Sequence, residues 1–279
     1  MEFGLYGLHR GGSTDPALLA RRAHAAEAAG FESLWVGDHV VVPVPDGGSV
    51  PDSPRLEAVV ALAHLAAVTE RVRLAFGVLV LPQRHPVLLA KQLASIDHLS
   101  GGRLIFGIGV GYVEPELHAF GVDRSERGTR TDEYLAAMRV LWDAPVASFD
   151  GSTVSFSGVV QRPLPTQRPH PPLVIGAQTG RAFVRVIREA HGWYGWALGV
   201  EETAEALNGL RAAAREHERP SDLGELEISV TPPEPVALDT ARRYADLGVH
   251  RLVLHPLSVD GNDPDDLIAA AGETMIGQV

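Results

Sequence analysis

The stretch that decides the fold is RLAFGVLVLPQRHPVLLAKQLASIDHLSGGRLIFGIGVGY, residues Arg73–Tyr112. It predicts a strand, a helix and a second strand, and both strands are nearly continuous apolar runs of the kind buried on both faces of a parallel sheet. Pro86 marks the first turn of the helix, and Gly101 with Gly102 marks its end. Glycines near the C-terminal end of each strand would let a flat or phosphorylated ligand approach the backbone. One stretch therefore predicts both a parallel fold and a site.

The same alternation continues along the whole chain. Eight strand–helix units are predicted, and the fourth unit contains one long helical region over Glu114–Trp142. The pattern breaks at about 143–172, where a hairpin is predicted over Ala147–Phe156 with its turn at Asp150-Gly151. Eight units in 279 residues favour a single α/β domain over residues 1–279. We predict a (β/α)8 TIM barrel with a hairpin-containing insertion between the fourth and fifth units.

A Rossmann-type open sheet is the main alternative fold. It would place a G-x-G-x-x-G pattern directly after the first strand. The glycine-rich run of this chain, Gly107–Gly111, lies instead in the fourth strand and has a different spacing. We therefore set the Rossmann fold aside.

Composition limits the partners. The formal net charge is −11 with no basic cluster, which argues against nucleic acid or an anionic membrane surface and leaves a small molecule as the substrate. The chain has no cysteine, so disulfides, thiolate catalysis and cysteine-bound metals are excluded. No apolar run reaches transmembrane length, and no basic leader precedes the first strand, so we expect a cytoplasmic protein. The histidines show no metal-ligand spacing, and no metal site is predicted.

A barrel places its site at the C-terminal ends of the strands. Asp38-His39 ends the apolar second strand, and His39 would exchange protons with a bound ligand because a histidine titrates near working pH. The alternative is that the pair only caps the next loop. Both residues are candidate catalytic groups, and Asp38 is also a candidate cofactor contact.

Further candidates follow three other strands. Gly77-Val78, Gly109 and Gly111 suggest a flat ring against bare backbone, although tight packing inside the barrel also uses glycine. The fifth strand ends in a turn that suggests a phosphate site at a helix N-terminus, with a plain helix cap as the alternative. The candidate residues of this turn are Gly176, Ala177, Gln178 and Thr179. Arg127 or Arg130 could contact the same phosphate, or could belong to a solvated helix start.

Four segments resemble the bacterial luciferase-like monooxygenase superfamily, and within it the deazaflavin (coenzyme F420)-dependent oxidoreductases. The segments, which lie in the family's order within about the first 200 residues, are FESLWVGDHV, ERVRLAFGVLVLPQRHPVLLAKQLASIDHLSGGRLIFGIGVGY, SERGTRTDEYLAAMRVLW and QRPHPPLVIGAQTGRA. The resemblance implies a TIM barrel that binds a flavin or deazaflavin at its mouth. It also implies a non-proline cis peptide at Gly77-Val78 behind the central ring of the cofactor.

The resemblance also assigns residues. It places Asp38 and His39 near the reactive ring, and Ala177–Thr179 at the cofactor phosphate. Tyr112 stands where sugar-phosphate dehydrogenases of the family carry a glutamate as proton donor, so this chain departs from that reaction. We keep Tyr112 as a candidate catalytic and cofactor-binding residue.

The implied activity is hydride transfer between a reduced deazaflavin (F420) and an unidentified small organic substrate. An FMN-dependent monooxygenase that activates dioxygen is the alternative within the family. A non-catalytic flavin-binding protein is an alternative of another class, and it would need neither Asp38 nor His39. Several relatives are dimers, so a homodimer is expected by analogy.

Overall fold

The computed structural model describes residues 1–44, 48–178, 180–256 and 263–279. Within them, eight parallel strands form a closed barrel, as predicted. The strands are β1 (Glu2–Tyr6), β2 (Ser33–Val36), β3 (Arg73–Phe76, continued by Leu79–Val80), β4 (Leu104–Gly109), β5 (Leu173–Gly176), β6 (Gly192–Trp196), β7 (Glu227–Thr231) and β8 (Arg251–Leu254). Each strand pairs with its sequence neighbours, β8 pairs with β1, and β3 pairs with β4 to complete the ring.

Helices surround the barrel. They are α1 (Pro16–Ala29), α2 (Ala58–Val68), α3 (Pro86–Leu99), α4 (Glu114–Ala119), α5 (Arg127–Asp143), α6 (Gly180–Glu189), α7 (Val200–Glu216), α8 (Leu238–Asp246) and α9 (Pro264–Thr274). The ends of α1 illustrate how sequence sets these bounds. The Asp15 carboxylate accepts the Leu18 amide at 2.9 Å, and Gly30 ends the helix in the left-handed conformation. No helix of the described ranges combines the length and apolarity that a membrane span requires.

Aromatic side chains fill the barrel axis. Trp35 and Tyr194 stack there with their ring centroids 5.0 Å apart, and both are almost fully buried. At the N-terminal end of the barrel, the Arg251 guanidinium pairs with Glu32 and Glu227 and lies 5.8 Å from the Trp35 ring. A paired cation thus occupies the N-terminal end of the barrel, and the strand ends that carry the candidate site residues lie at the opposite, C-terminal end.

Two local predictions are wrong. The single helix expected over Glu114–Trp142 is two helices, because Gly121 adopts a positive φ of 66° after α4 and the Asp123 carboxylate accepts the Ser125 amide before α5. Those local bonds compete with helix formation. The break turns α4 into a short separate element that can approach the barrel mouth.

The hairpin of the insertion is present, but its turn is longer than expected. Strands Ala147–Asp150 and Ser155–Val159 pair antiparallel, and the loop between them covers residues 151–154 rather than turning tightly at Asp150-Gly151. The Glu133 carboxylate of α5 accepts the amides of Ser152 and Thr153 and both of their hydroxyls. Contacts with α5, rather than turn propensity, fix this loop.

Candidate active site

The polar side chains at the barrel mouth fall into two arcs. Residues after β2, β3 and β4 form the first arc, and residues after β1, β6 and β8 form the second. We call them the paired arc and the Arg10 arc. They differ in whether their charged side chains form ion pairs.

Asp38 lies at the base of the paired arc. It is 4% exposed, and its carboxylate accepts the Val80 amide at 3.0 Å and two nitrogens of Arg84 at 2.5 and 3.1 Å. Arg84 also pairs with Glu57 at 2.6 Å. A bidentate guanidinium–carboxylate pair of this kind fixes both side chains. Asp38 therefore holds the turn after β3 against the end of β2.

His39 is held by a carboxylate that the sequence did not suggest. Its Nδ1 lies 3.0 Å from Oε2 of Glu116, whose other oxygen accepts the Val40 amide at 2.7 Å. Burial alone would raise the pKa of the Glu116 carboxyl. The hydrogen bond and charge of His39, with the two backbone amides Val40 and Val41, outweigh burial and lower that pKa.

This pairing orients the imidazole. The Glu116 carboxylate accepts a hydrogen bond from the Nδ1–H group of His39. The other ring nitrogen, Nε2, is then left to exchange a proton at the barrel mouth. Nε2 lies 3.5 Å from the Tyr112 hydroxyl, and the two rings meet edge to face at 5.9 Å. Tyr112 is 77% exposed, and its ring lies on the solvent side of His39.

The Gly77–Val78 peptide is cis, as the resemblance implied. Gly77 lies directly on the aromatic floor, since a Cβ there would be 2.9 Å from the Trp35 ring and 3.3 Å from the Tyr194 ring. The bulge after β3 therefore rests on the stacked pair inside the barrel.

Val78 explains two of the candidate glycines. A Cβ on Gly109 would lie 2.7 Å from one Val78 methyl, and a Cβ on Gly176 would lie 2.9 Å from the other. Gly111 has a positive φ of 82° and packs against Val80 and Leu117. Because glycine has no side chain, these positions leave room for Val78, Val80 and Leu117. This agrees with the alternative that the glycines serve tight packing inside the barrel. The Val78 side chain, flanked by two strand ends, is what these glycines position.

The turn after β5 is tied to β6. Trp193 donates its indole N–H to the Ala177 carbonyl at 2.8 Å, and the Gln178 side chain donates to the Trp196 carbonyl at 3.0 Å. Thr179, the predicted hydroxyl donor, lies outside the described residues. The described part of the turn, Ala177 and Gln178, is therefore fixed against β6.

Two arginines of α5 lie at the end of that helix that packs against α6. Arg185 of α6 donates to the Gly128 carbonyl, which brings the start of α5 against α6. The Nε atoms of Arg127 and Arg130 are buried and have no hydrogen-bond partner among the described residues. Unsatisfied buried donors are rare in proteins. With the N-terminus of α6, they fit the anionic tail of a flavin-type cofactor.

The Arg10 arc contains a cluster of tilted and edge-on aromatic rings with the Arg10 guanidinium beside it. The Tyr6 ring lies 4.7 Å from Trp196 and 5.0 Å from His255, and the Arg10 guanidinium lies 5.4 Å from the centre of the Tyr6 ring. Arg10 also hydrogen-bonds Nε2 of His255. No chemistry was predicted for these residues from the sequence.

Within the described ranges, no group of three or more histidine, aspartate and glutamate side chains is placed to hold a metal ion. The sequence analysis missed the two partners of the paired arc, Arg84 and Glu116. Glu116 lies 77 residues from His39 and Arg84 lies 46 residues from Asp38. Nothing in the sequence distinguishes Glu116 from the neighbouring Glu114 as the partner of His39.

Comparisons with known proteins agree with the geometry. The profile of the family described as luciferase-like monooxygenase matches residues 1–263. An uncharacterised protein of Mycobacterium tuberculosis (strain ATCC 25618 / H37Rv) is 35% identical over 263 residues, which cover 89% of each chain. An FMNH2-dependent dimethylsulfone monooxygenase of Pseudomonas putida is 31% identical over 159 residues, covering 56% of this chain and 44% of that one.

Among solved structures, an F420-dependent secondary alcohol dehydrogenase in complex with an F420-acetone adduct superposes with a TM-score of 0.80. The match covers 100% of this chain and 99% of that one at 16% identity, and so it shows the shared fold. The family profile and the mycobacterial relative extend the likeness to sequence along most of the chain. The chain belongs to the luciferase-like monooxygenase family.

Proposed function

We propose that this protein is an oxidoreductase that uses reduced deazaflavin (F420) for hydride transfer to or from a small organic substrate. The observation that carries the proposal is the His39–Glu116 pair at the mouth of a barrel of this family. A carboxylate-held imidazole at that position is suited to move a proton beside a reacting centre. The full-length fold likeness to an F420-dependent dehydrogenase supports the choice of cofactor.

The residues present fit such a cofactor. The Gly77–Val78 bulge and the strand ends at Gly109, Gly111 and Gly176 would back its ring. The turn Ala177–Thr179 would hold its phosphate together with Arg127 and Arg130, whose Nε atoms have no partner among the described residues. Another nitrogen of each side chain is engaged, since Arg127 donates to the Arg124 carbonyl and Arg130 pairs with Glu126. When bound, the reduced deazaflavin supplies the hydride that the protein itself lacks.

The protein would then control the proton. In the reducing direction, a carbonyl carbon gains the hydride and its oxygen gains a proton from Nε2 of His39. The Glu116 carboxylate stabilises the charged imidazole that donates it. In the oxidising direction, Nε2 takes the proton from the alcohol. Asp38 and Arg84 are positioning residues, because they hold the backbone beside His39. Their charged groups are engaged with each other and with the Val80 amide.

An FMN-dependent monooxygenase is the second candidate. It is favoured by the 31% identity to the FMNH2-dependent enzyme of Pseudomonas putida over 159 residues. A non-catalytic flavin-binding protein is the third, and it gives no reason for the His39–Glu116 pair. A homodimer and a cytoplasmic location remain predictions.

Two assays on the purified protein separate these functions. In the first, oxidised F420 and a panel of small alcohols are mixed without oxygen, and loss of the visible absorbance of the oxidised cofactor is followed. In the second, reduced FMN is supplied in air and oxygen consumption is followed. We expect F420 reduction that falls at least about 100-fold in His39→Gln. Substrate-dependent oxygen consumption with FMN alone would instead establish the monooxygenase, and no turnover in either assay would favour the binding protein.

A further inference from the structure

The Arg10 arc contains a cation that has no anionic partner among the residues that the structure describes. The groups that interact with Arg10 are the Tyr6 ring, the His255 imidazole and, through charge repulsion, Arg55. No carboxylate of the described residues pairs with it. Elsewhere, the buried Arg22, Arg84 and Arg251 each have an acidic partner within 3.2 Å. Arg103 and Arg219 also lack a carboxylate partner, but each donates to several backbone carbonyls. Among the described residues, Arg10 has neither kind of acceptor, and a partly buried charge without one is costly.

The surrounding groups are neutral at physiological pH. Burial and the nearby Arg10 charge lower the pKa of His255 to about 4, and burial lowers the pKa of His9 to about 3. Burial raises the pKa of the Tyr6 hydroxyl to about 12. None of the three can neutralise a guanidinium. Arg55, whose backbone bridges that of Arg10, adds a second positive charge at the same edge. The mouth is therefore locally positive in a chain whose net charge is −11.

The arc also offers a flat apolar surface. Trp196 is 38% exposed and packs against Tyr6 at 4.7 Å and edge-on against His255 at 5.5 Å. Rings held in this way lose little entropy when a flat molecule stacks on them. His255 uses only part of a guanidinium that has five N–H donors. A carboxylate attached to a planar carbon skeleton would satisfy both features together.

We infer that Arg10 binds the carboxylate of the substrate and that Trp196 stacks on its planar skeleton. This inference rests on the proposed function, and it names the substrate class of that same site as small carboxylates with a planar aromatic or unsaturated skeleton that also carries the reacting carbonyl or hydroxyl group. In the proposed function, the anionic tail of the cofactor is assigned to the turn after β5 and to Arg127 and Arg130 of α5, and not to Arg10. The two anions would thus be held by different arginines.

The test uses benzoate as the probe and benzamide as its uncharged match, without any cofactor. Binding is followed by quenching of tryptophan fluorescence, to which the exposed Trp196 responds. We expect saturable quenching by benzoate, weakened at least about tenfold in Arg10→Gln and partly restored in Arg10→Lys. Benzamide should bind weakly to all variants. Arg242→Gln, at an exposed arginine paired with Asp239, is the matched control and should bind benzoate as the wild type does.

Benzoate binding that is no tighter than benzamide binding, or that is unchanged in Arg10→Gln, would overturn the inference. Circular dichroism and the melting temperature of each variant exclude misfolding as the cause. F420 titrations of the same proteins separate the remaining cases. If Arg10→Gln loses F420 affinity as strongly as benzoate affinity, Arg10 serves the cofactor tail and the inference is wrong. If benzoate binds through Arg10 but neither F420 nor FMN binds, the proposed function fails and the carboxylate site stands.

Discussion

The two arcs of the barrel mouth both contain charged side chains and imidazoles, but they differ in whether the charged groups have partners of opposite charge. In the paired arc, Asp38 is neutralised by Arg84, and His39 is held by Glu116. In the Arg10 arc, the guanidinium faces aromatic rings and neutral imidazoles. Pairing fixes geometry, and so the first arc is suited to hold a proton donor in place. An unpaired charge retains affinity for a ligand, and so the second arc is suited to recognition.

The largest expected effect comes from breaking the paired arc. Arg84→Ala leaves the Asp38 carboxylate buried without its cation, because that side chain is only 1% exposed. We expect the free energy of unfolding to fall by about 3–5 kcal/mol, measured by urea denaturation. Adding Asp38→Asn should recover part of the loss. Arg242→Ala, which breaks an exposed pair, should cost less than about 1 kcal/mol. Equal losses in the two single variants would show that the pair is not a structural clamp.

That pair also shows what the sequence could and could not predict. The eight units and the insertion follow from local periodicity and punctuation, whereas the bulge at Gly77–Val78 follows from the family resemblance, and the structure contains all three. The partner of each charged group depends on which strand ends meet when the barrel closes. Arg84 reaches Asp38 because β2 and β3 are neighbours, and Glu116 reaches His39 only because the predicted long helix is broken after α4. The local hydrophobic periodicity of the sequence does not indicate which strand ends meet when the barrel closes.

Acid should weaken the Arg10 arc. His255 and His9 are neutral in the folded protein down to pH about 4 and about 3, but they bind protons in the unfolded chain below pH about 6.5. The unfolded state therefore binds more protons in that window, and stability falls as the pH is lowered. Each should contribute a loss of about 2 kcal/mol between pH 7 and pH 5.

Urea denaturation at several pH values measures this effect. His255→Gln keeps an acceptor for Arg10 and cannot be protonated. The number of protons taken up on unfolding, which sets the slope of the unfolding free energy against pH, should therefore fall by about one. His24→Gln, at an exposed histidine of α1, serves as the control and should leave the slope unchanged. An unaltered slope in His255→Gln would mean that this imidazole is not held neutral in the fold.

The orienting role of Glu116 predicts a smaller effect, on rate. In Glu116→Gln the amide can still accept the Val40 N–H, but its NH2 would donate to Nδ1 of His39 and reverse the tautomer. We expect kcat to fall about tenfold, with a shifted pH profile and unchanged KM and cofactor affinity. A rise in KM with unchanged kcat would indicate that Glu116 shapes the binding site instead.

The smallest effect is expected at Tyr112. Its hydroxyl lies 3.5 Å from Nε2 of His39 and its side chain is 77% exposed, so the contact is weak. Tyr112→Phe should change kcat by less than about threefold, since it removes one hydroxyl and keeps the covering ring. A loss as large as that of His39→Gln would make Tyr112 the proton donor and His39 its support.

The most direct test of the account is a side-by-side cofactor titration of the wild-type protein, with F420 and FMN binding followed by fluorescence. The account predicts that F420 binds at least about tenfold more tightly than FMN. It further predicts that Arg127→Gln with Arg130→Gln weakens F420 binding and that Arg10→Gln leaves it unchanged. Tighter binding of FMN, or F420 affinity that depends on Arg10 rather than on the α5 arginines, would contradict the assignment of the two arcs.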